Sequence, residues 1–262
     1  MDILHAVILG IVEGLTEFLP ISSTFHLIFS SRLLGLEQTE FLKMFEVVIQ
    51  SGAILAVVLI YGQELLKNKT RLIQLGFSFV PTAVVGLLMY KVIKEDFFEN
   101  INLMVGVFIA MAFVFFIVEF LVRAKKLVLE TEIQDMSLIQ AFVIGLIQAA
   151  AVVPGVSRAG SVIIGMMLMG FTRSEAAKYS FLLAIPTILA ASALDIVQSS
   201  DVLFSSSENM MLLLVGFTVA FGSAYICIKW FIRYVQKHTL TFFGFYRIVL
   251  GIIILLLLRG AL

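Results

Sequence analysis

Long apolar runs dominate this chain, and its polar residues gather in the short breaks between them. The hydrocarbon core of a bilayer is about 30 Å thick, so a crossing helix needs about 20 mainly apolar residues. Five stretches meet that length, near 72–92, 101–122, 176–197, 210–232 and 241–260, and a sixth, Phe45 to Tyr61, lies near the lower limit. Two more apolar regions, 1–36 and 138–171, are broken midway by Pro20 and by Pro154-Gly155, each followed by hydroxyl residues. Arms of about 12–18 residues suit helices that enter the membrane and turn back, because a break at that depth is tolerated where protein buries it or water lines it. The expected fold is all-α: a polytopic integral membrane protein with six spans and two re-entrant hairpins.

Loop charges orient these elements, since cytoplasmic loops carry the excess of Lys and Arg. One set of loops holds Lys67, Lys69, Arg71, Arg123, Lys125, Lys126, Arg173, Lys178, Lys229, Arg233 and Lys237; the opposite set holds Arg32, Lys43, Lys91, Lys94 and Arg259. The richer set is expected inside, with both chain ends outside. The first hairpin then opens outward and the second toward the cytoplasm. A repeat supports that inversion: Ile8-Leu9-Gly10-Ile11-Val12-Glu13 resembles Val143-Ile144-Gly145-Leu146-Ile147-Gln148, and Ser22 falls on Ser157 at the same offset of 135. Ile54-Leu55-Ala56 likewise faces Ile188-Leu189-Ala190, and Gly76-Phe77 faces Gly216-Phe217. The expected organisation is one membrane domain of two inverted repeats, 1–135 and 136–262, each a broken hairpin plus three spans. Such repeats commonly bind ligands near the midplane, where half-helix N-termini point at an anion.

Composition removes other classes. The chain is 61% hydrophobic and 14% charged, with mean hydropathy +1.08; soluble chains are about 45–50% apolar and about 25% charged, so lipid must cover the remainder. Eighteen basic and 18 acidic side chains balance without a basic stripe, which argues against nucleic acid as a partner. The single cysteine, Cys227, forms no internal disulfide. No basic n-region or small-x-small cleavage site opens the chain, so the first apolar stretch is expected to stay.

Candidate chemistry gathers at the two breaks. Glu13 and Glu17, four apart, share one helix face, and such a pair either binds a hard divalent cation or acts as acid and base. Pro20-Ile21-Ser22-Ser23-Thr24 offers hydroxyls for capping the second arm, and Ser23 and His26, three apart, share a face as a hydroxyl–imidazole pair. At the second break, Pro154-Gly155-Val156-Ser157-Arg158-Ala159-Gly160-Ser161 contains an arginine that must find an anion. Its planar fork fits a phosphate, while Glu13, Glu17 or Glu46 is the internal alternative. Glu46 and Gln50 present a further polar face, suited either to orienting a ligand or to a packing hydrogen bond. Arg247 is left over inside an apolar segment.

The run from Glu13 to Thr24, then His26, Phe45-Glu46-Val47-Val48-Ile49-Gln50 and Pro154-Gly155-Val156-Ser157-Arg158 resemble the bacterial undecaprenyl-diphosphate phosphatases, or bacitracin-resistance proteins, over essentially the whole chain. The resemblance implies a bacterial plasma-membrane enzyme that removes the terminal phosphate of undecaprenyl diphosphate and recycles the lipid carrier for peptidoglycan synthesis, its site toward the external face. It assigns Glu13 and Glu17 as the acidic pair, Ser23 and His26 as nucleophile candidates with Thr24 nearby, and Ser157 and Arg158 as diphosphate binders. It also implies magnesium or calcium at the carboxylate pair. Expected partners are the polyprenyl diphosphate lipid and the bilayer, with a homodimer as a further expectation. Phe25, Ala159 and Val162 stand where the family usually has Gly, Ser and Thr. The rival reading is a transporter or flippase of a polyprenyl phosphate lipid, because such proteins also use inverted repeats with broken helices.

Overall fold

The computed structural model describes residues 1–92 and 100–260, with side chains left aside at 91 and 258–260. The outer-loop charges of Lys91, Lys94 and Arg259 therefore lie outside what is described. The first hairpin consists of α1 (Ile3–Thr16) and α2 (Ser23–Leu33), followed by α3 (Glu40–Val48), α4 (Gln50–Lys67), α5 (Lys69–Leu88), the single turn α6 (Tyr90–Val92) and α7 (Ile101–Arg123). The second hairpin pairs α8 (Leu138–Ala149) with α9 (Arg158–Leu168), before α10 (Arg173–Gln198), the short α11 (Ser200–Leu203), α12 (Ser207–Lys237) and α13 (Thr241–Gly260). Apart from an isolated bridge between Thr131 and Phe171, the described residues form helices and their connections.

Local sequence fixes the starts of the hairpins. Asp2 accepts from the His5 N–H at 3.0 Å to open α1. Ser137 and Gln140 exchange bonds of 3.2 and 2.8 Å as a capping box that opens α8. Among the described residues, five helical stretches are long and apolar enough to cross a membrane: Glu40–Lys67, Lys69–Leu88, Ile101–Arg123, Arg173–Gln198 and Ser207–Lys237. The short span expected over 45–61 is thus part of a longer one, in which α3 passes into α4 at Ile49. The stretch expected over 241–260 forms α13, which stands over Thr241–Leu257 with the shorter apolar helices. The fold is an all-α, polytopic membrane architecture.

Between helices in lipid, close van der Waals packing replaces the hydrophobic drive, and small residues make it possible. The first arm α1 packs along α12, and the second hairpin's arm α8 packs along α5. A Cβ on Gly10 would lie 2.7 Å from the Gly216 carbonyl, and one on Gly145 would collide with the Ser78 carbonyl. The two glycines at offset 135 therefore serve the same purpose, one in each hairpin. Helix α13 lies along α7, closing the bundle beside both hairpin tips. At the far end, Arg173 pairs with Glu119, which also accepts from Leu240 N at 2.8 Å, tying α7, α10 and α13. Leu59, Leu88, Ile139 and Leu214 project outward from the bundle, as lipid-facing positions require.

Candidate active site

Both hairpins turn at a serine with a left-handed backbone: φ is 67° at Ser22 and 74° at Ser157. That conformation costs a non-glycine residue about 1–2 kcal/mol, and strain of this kind is held where surrounding structure over-determines it. Ser157 behaves as a helix cap, its Oγ accepting from Gly160 N at 3.1 Å. Ser22 does not cap α2. Its Oγ accepts instead from Gly155 N at 3.2 Å, across the gap between the tips. The capping expected of the hydroxyl run is thus replaced at Ser22 by a bond that joins the tip leading into α2 to the tip leading into α9.

Glu17, just beyond α1, is the hub. The Ser23 hydroxyl donates to its Oε2. Arg158, from the other hairpin, donates to its Oε1 from Nη2 at 2.8 Å and from Nε at 3.3 Å. The remaining Arg158 terminal nitrogen donates to the Ser180 carbonyl at 2.9 Å. Of the partners open to Arg158, the structure brings it to Glu17. A two-pronged, charge-assisted bond of this kind fixes orientation as well as charge.

One turn back, Glu13 is fully buried, and neither carboxylate oxygen makes a hydrogen bond among the described residues. Glu17, Arg158 and Glu46 are the charged groups that act on it. Glu46 is also buried with both oxygens unbonded, and Gln50 Nε2 donates to the Glu46 backbone carbonyl at 3.2 Å, the packing alternative for Gln50. Thr24 is half-buried on the first turn of α2.

His26 and Ser23 share a helix face without bonding to each other. His26 Nδ1 lies 2.8 Å from the Ser22 carbonyl, and Nε2 lies 2.7 Å from the Tyr246 hydroxyl. A carbonyl only accepts, so the bonding network assigns the proton to Nδ1 and leaves Nε2 accepting from Tyr246. Both ring nitrogens are engaged. Phe25 is buried, with its ring stacked on Phe108 at 4.2 Å between centroids, so its bulk fills a packing gap beside α7. Ala159 and Val162 are buried in the same way on α9. Tyr246, Ser180 and Arg247 carry site contacts that spacing did not reveal. Their partners lie far away in sequence, and only the intramembrane charge of Arg247 marked it in advance.

The chemistry available is that of a hydroxyl on a carboxylate, a guanidinium on the same carboxylate, and two adjacent helix N-termini that favour an anion. Among the described residues no group of three or more His, Cys, Asp or Glu is arranged to hold a metal unaided. The unbonded oxygens of Glu13 beside Glu17 nevertheless fit a hard cation whose shell is completed by water and phosphate, as magnesium often requires.

Comparison with known proteins adds the family. A family model described as bacitracin resistance protein BacA matches residues 6–253. The chain is 49% identical over 259 residues to an undecaprenyl-diphosphatase of Campylobacter fetus, covering 98% of this chain and 99% of that protein. It is 47% identical to one of Persephonella marina, covering 98% and 99%, and 43% identical to one of Aquifex aeolicus, covering 95% and 96%. A match that runs through both hairpins and nearly the full length of each relative leaves one conclusion: the chain belongs to the bacitracin resistance protein BacA family.

Proposed function

We propose that this chain hydrolyses undecaprenyl diphosphate to undecaprenyl phosphate and inorganic phosphate, as the names of its relatives describe for them. That activity recycles the lipid carrier for cell-wall synthesis and underlies bacitracin resistance. The observation that carries the mechanism is Glu17 holding both the Ser23 hydroxyl and the Arg158 guanidinium. The lipid tail enters from the bilayer while the diphosphate meets the hairpin tips. Arg158 turns part of its fork to the phosphates, and the first-turn N–H groups of α2 and α9 face the same charge.

Ser23 is the nucleophile. Its oxygen attacks the terminal phosphorus as its proton passes to Glu17. The bond from that phosphorus to the bridging oxygen breaks, and undecaprenyl phosphate leaves as an anion. Water then attacks the phosphoserine, the Ser23 oxygen–phosphorus bond breaks, and the serine oxygen recovers a proton through Glu17, releasing inorganic phosphate. His26, with both nitrogens committed, orients the first turn of α2 and does not attack. Glu13 and Glu17 would hold a divalent cation, which supplies charge neutralisation on the phosphates when bound. The excess of Lys and Arg in one set of loops, together with the family likeness, supports a site toward the external face of a bacterial plasma membrane, and the paired packing of α1 on α12 and α8 on α5 is what two inverted halves would give.

Phosphate release by the purified protein from the C55 diphosphate lipid tests this reading. Wild type turns over, and Glu17→Gln and Arg158→Ala lose nearly all activity. An acid-stable phosphoserine traps on wild type and is absent from Ser23→Ala. Full turnover by both charge variants, or lipid movement across vesicles without phosphate release, overturns the proposal.

A further inference from the structure

Arg247 of α13 has no role in the chemistry above, yet it sits where the two hairpins meet. It is fully buried, with 0% of its surface exposed. Nε donates to the Pro20 carbonyl at 2.9 Å, on the first tip. Nη1 donates to Gly155 O at 2.9 Å and Nη2 to Val156 O at 3.1 Å, both on the second tip. Nη1 also donates to Phe108 O on α7 at 3.1 Å. The guanidinium lies 4.7 Å from the Phe108 ring centroid and 5.3 Å from that of Phe115. Among the described residues no carboxylate pairs with it.

An arginine at membrane depth keeps its charge and normally finds an anion. Here carbonyl dipoles and two aromatic faces stand in for one. The guanidinium is planar and rigid, so the carbonyls of residues 20, 155 and 156 are set relative to one another by a single group. Ser22 Oγ accepting from Gly155 N is the second bond across the same junction. The neighbouring Tyr246 reaches His26 on α2, so two consecutive residues of α13 grip both hairpins.

We propose that Arg247 is a positioning residue: its fork locks the two hairpin tips in register, so that Ser23 and Glu17 from one and Arg158 from the other address the same phosphate. This rests on the phosphatase reading. A misplacement of about 1 Å costs about 10²-fold in rate, so the fork acts on kcat, while its positive charge contributes to holding an anionic substrate.

The test uses the purified full-length chain with the C55 diphosphate lipid, and follows thermal unfolding of every variant. Arg247→Lys keeps the charge and loses the fork: kcat falls about 10²-fold while KM stays within about threefold. Arg247→Met loses the charge as well, so KM rises in addition. Ser22→Ala weakens the same junction, lowers kcat about tenfold, and adds less than its own factor to Arg247→Lys. Hydrogen exchange of peptides covering residues 19–26 and 152–160 speeds up in Arg247→Lys, whether or not turnover is seen. A folded Arg247→Lys protein with wild-type kcat and unchanged tip exchange overturns the proposal. If Arg247→Lys does not fold, Ser22→Ala decides alone, and unchanged kcat and exchange there overturn it. A wild-type protein that releases no phosphate defeats the phosphatase reading, while the exchange measurement still judges the clamp.

Discussion

The first hairpin turns at Ser22 and the second at Ser157, each with a left-handed serine, each sending its leading arm along a helix of the other half. At the position one turn before the break, however, Glu13 stands in one and Gln148 in the other. Gln148 Nε2 is satisfied, donating to Thr82 Oγ1 at 2.9 Å and Thr187 Oγ1 at 3.2 Å. Neither Glu13 carboxylate oxygen has a hydrogen-bond partner among the described residues. Four residues on, Glu17 gathers a serine and an arginine, while the second hairpin contributes that arginine and a glycine-rich turn. One backbone plan thus serves two purposes. The second hairpin, its glutamine held through Nε2, provides a wall with one cation, and the first holds a carboxylate that a ligand would complete. Gln148 Oε1 is unbonded as well among the described residues, so the two positions differ in kind: one keeps a neutral amide held through its nitrogen, the other a carboxylate with neither oxygen bonded, which is the costlier group to bury without partners.

The largest effect that would break this comparison is at its hub. Glu17→Gln removes the base and the counter-charge of Arg158 together, so turnover falls by about 10³-fold. Arg158, partly buried with 12% of its side chain exposed, then loses its counter-charge, lowering stability by about 1–3 kcal/mol in denaturant unfolding. Next comes the choice of attacking group. Ser23→Ala abolishes the trapped phosphoenzyme, whereas His26→Gln loses one hydrogen bond and keeps about a tenth of wild-type turnover; the reverse ranking in phosphate-release assays would transfer the nucleophile to His26.

The third prediction separates the two equivalent positions. Glu13→Gln removes an unbonded buried carboxylate, so the melting temperature holds or rises while turnover and its dependence on added magnesium fall. Gln148→Leu does the opposite, losing about 1–3 kcal/mol of stability with activity within about threefold of wild type. Matching responses at the two positions would erase the asymmetry. The smallest effect is at the cap of the second hairpin, where Ser157→Ala costs about 1 kcal/mol of stability through the lost Gly160 bond.

Much of this was legible in the sequence, for identifiable reasons. Spans follow from run length against bilayer thickness, and both helical hairpins are marked in the sequence by Pro20 and Pro154-Gly155. The need of Arg158 for an anion was readable too, because its charge persists at any depth; which of three carboxylates would meet it depended on tertiary placement. The Ser23–Glu17 contact was hidden, since six residues and a turn separate the pair and no periodic spacing brings them together. Helical spacing instead offered Ser23 with His26, which the structure keeps apart by giving His26 the Ser22 carbonyl and Tyr246, 220 residues away. The length of the third segment was underestimated because polar Glu40 and Lys43 extend α3 beyond the apolar run.

The most direct measurement is a stability cycle on Glu17→Gln and Arg158→Gln, singly and combined, by denaturant unfolding of the purified protein. If the two hairpins meet in one chamber, Arg158→Gln strands the buried Glu17 carboxylate and costs about 3–5 kcal/mol, Glu17→Gln strands the partly buried Arg158 and costs less, and the double variant is more stable than Arg158→Gln alone. Additive losses, with the double variant the least stable and the sum matched within about 0.5 kcal/mol, would mean that the two charges never share a site.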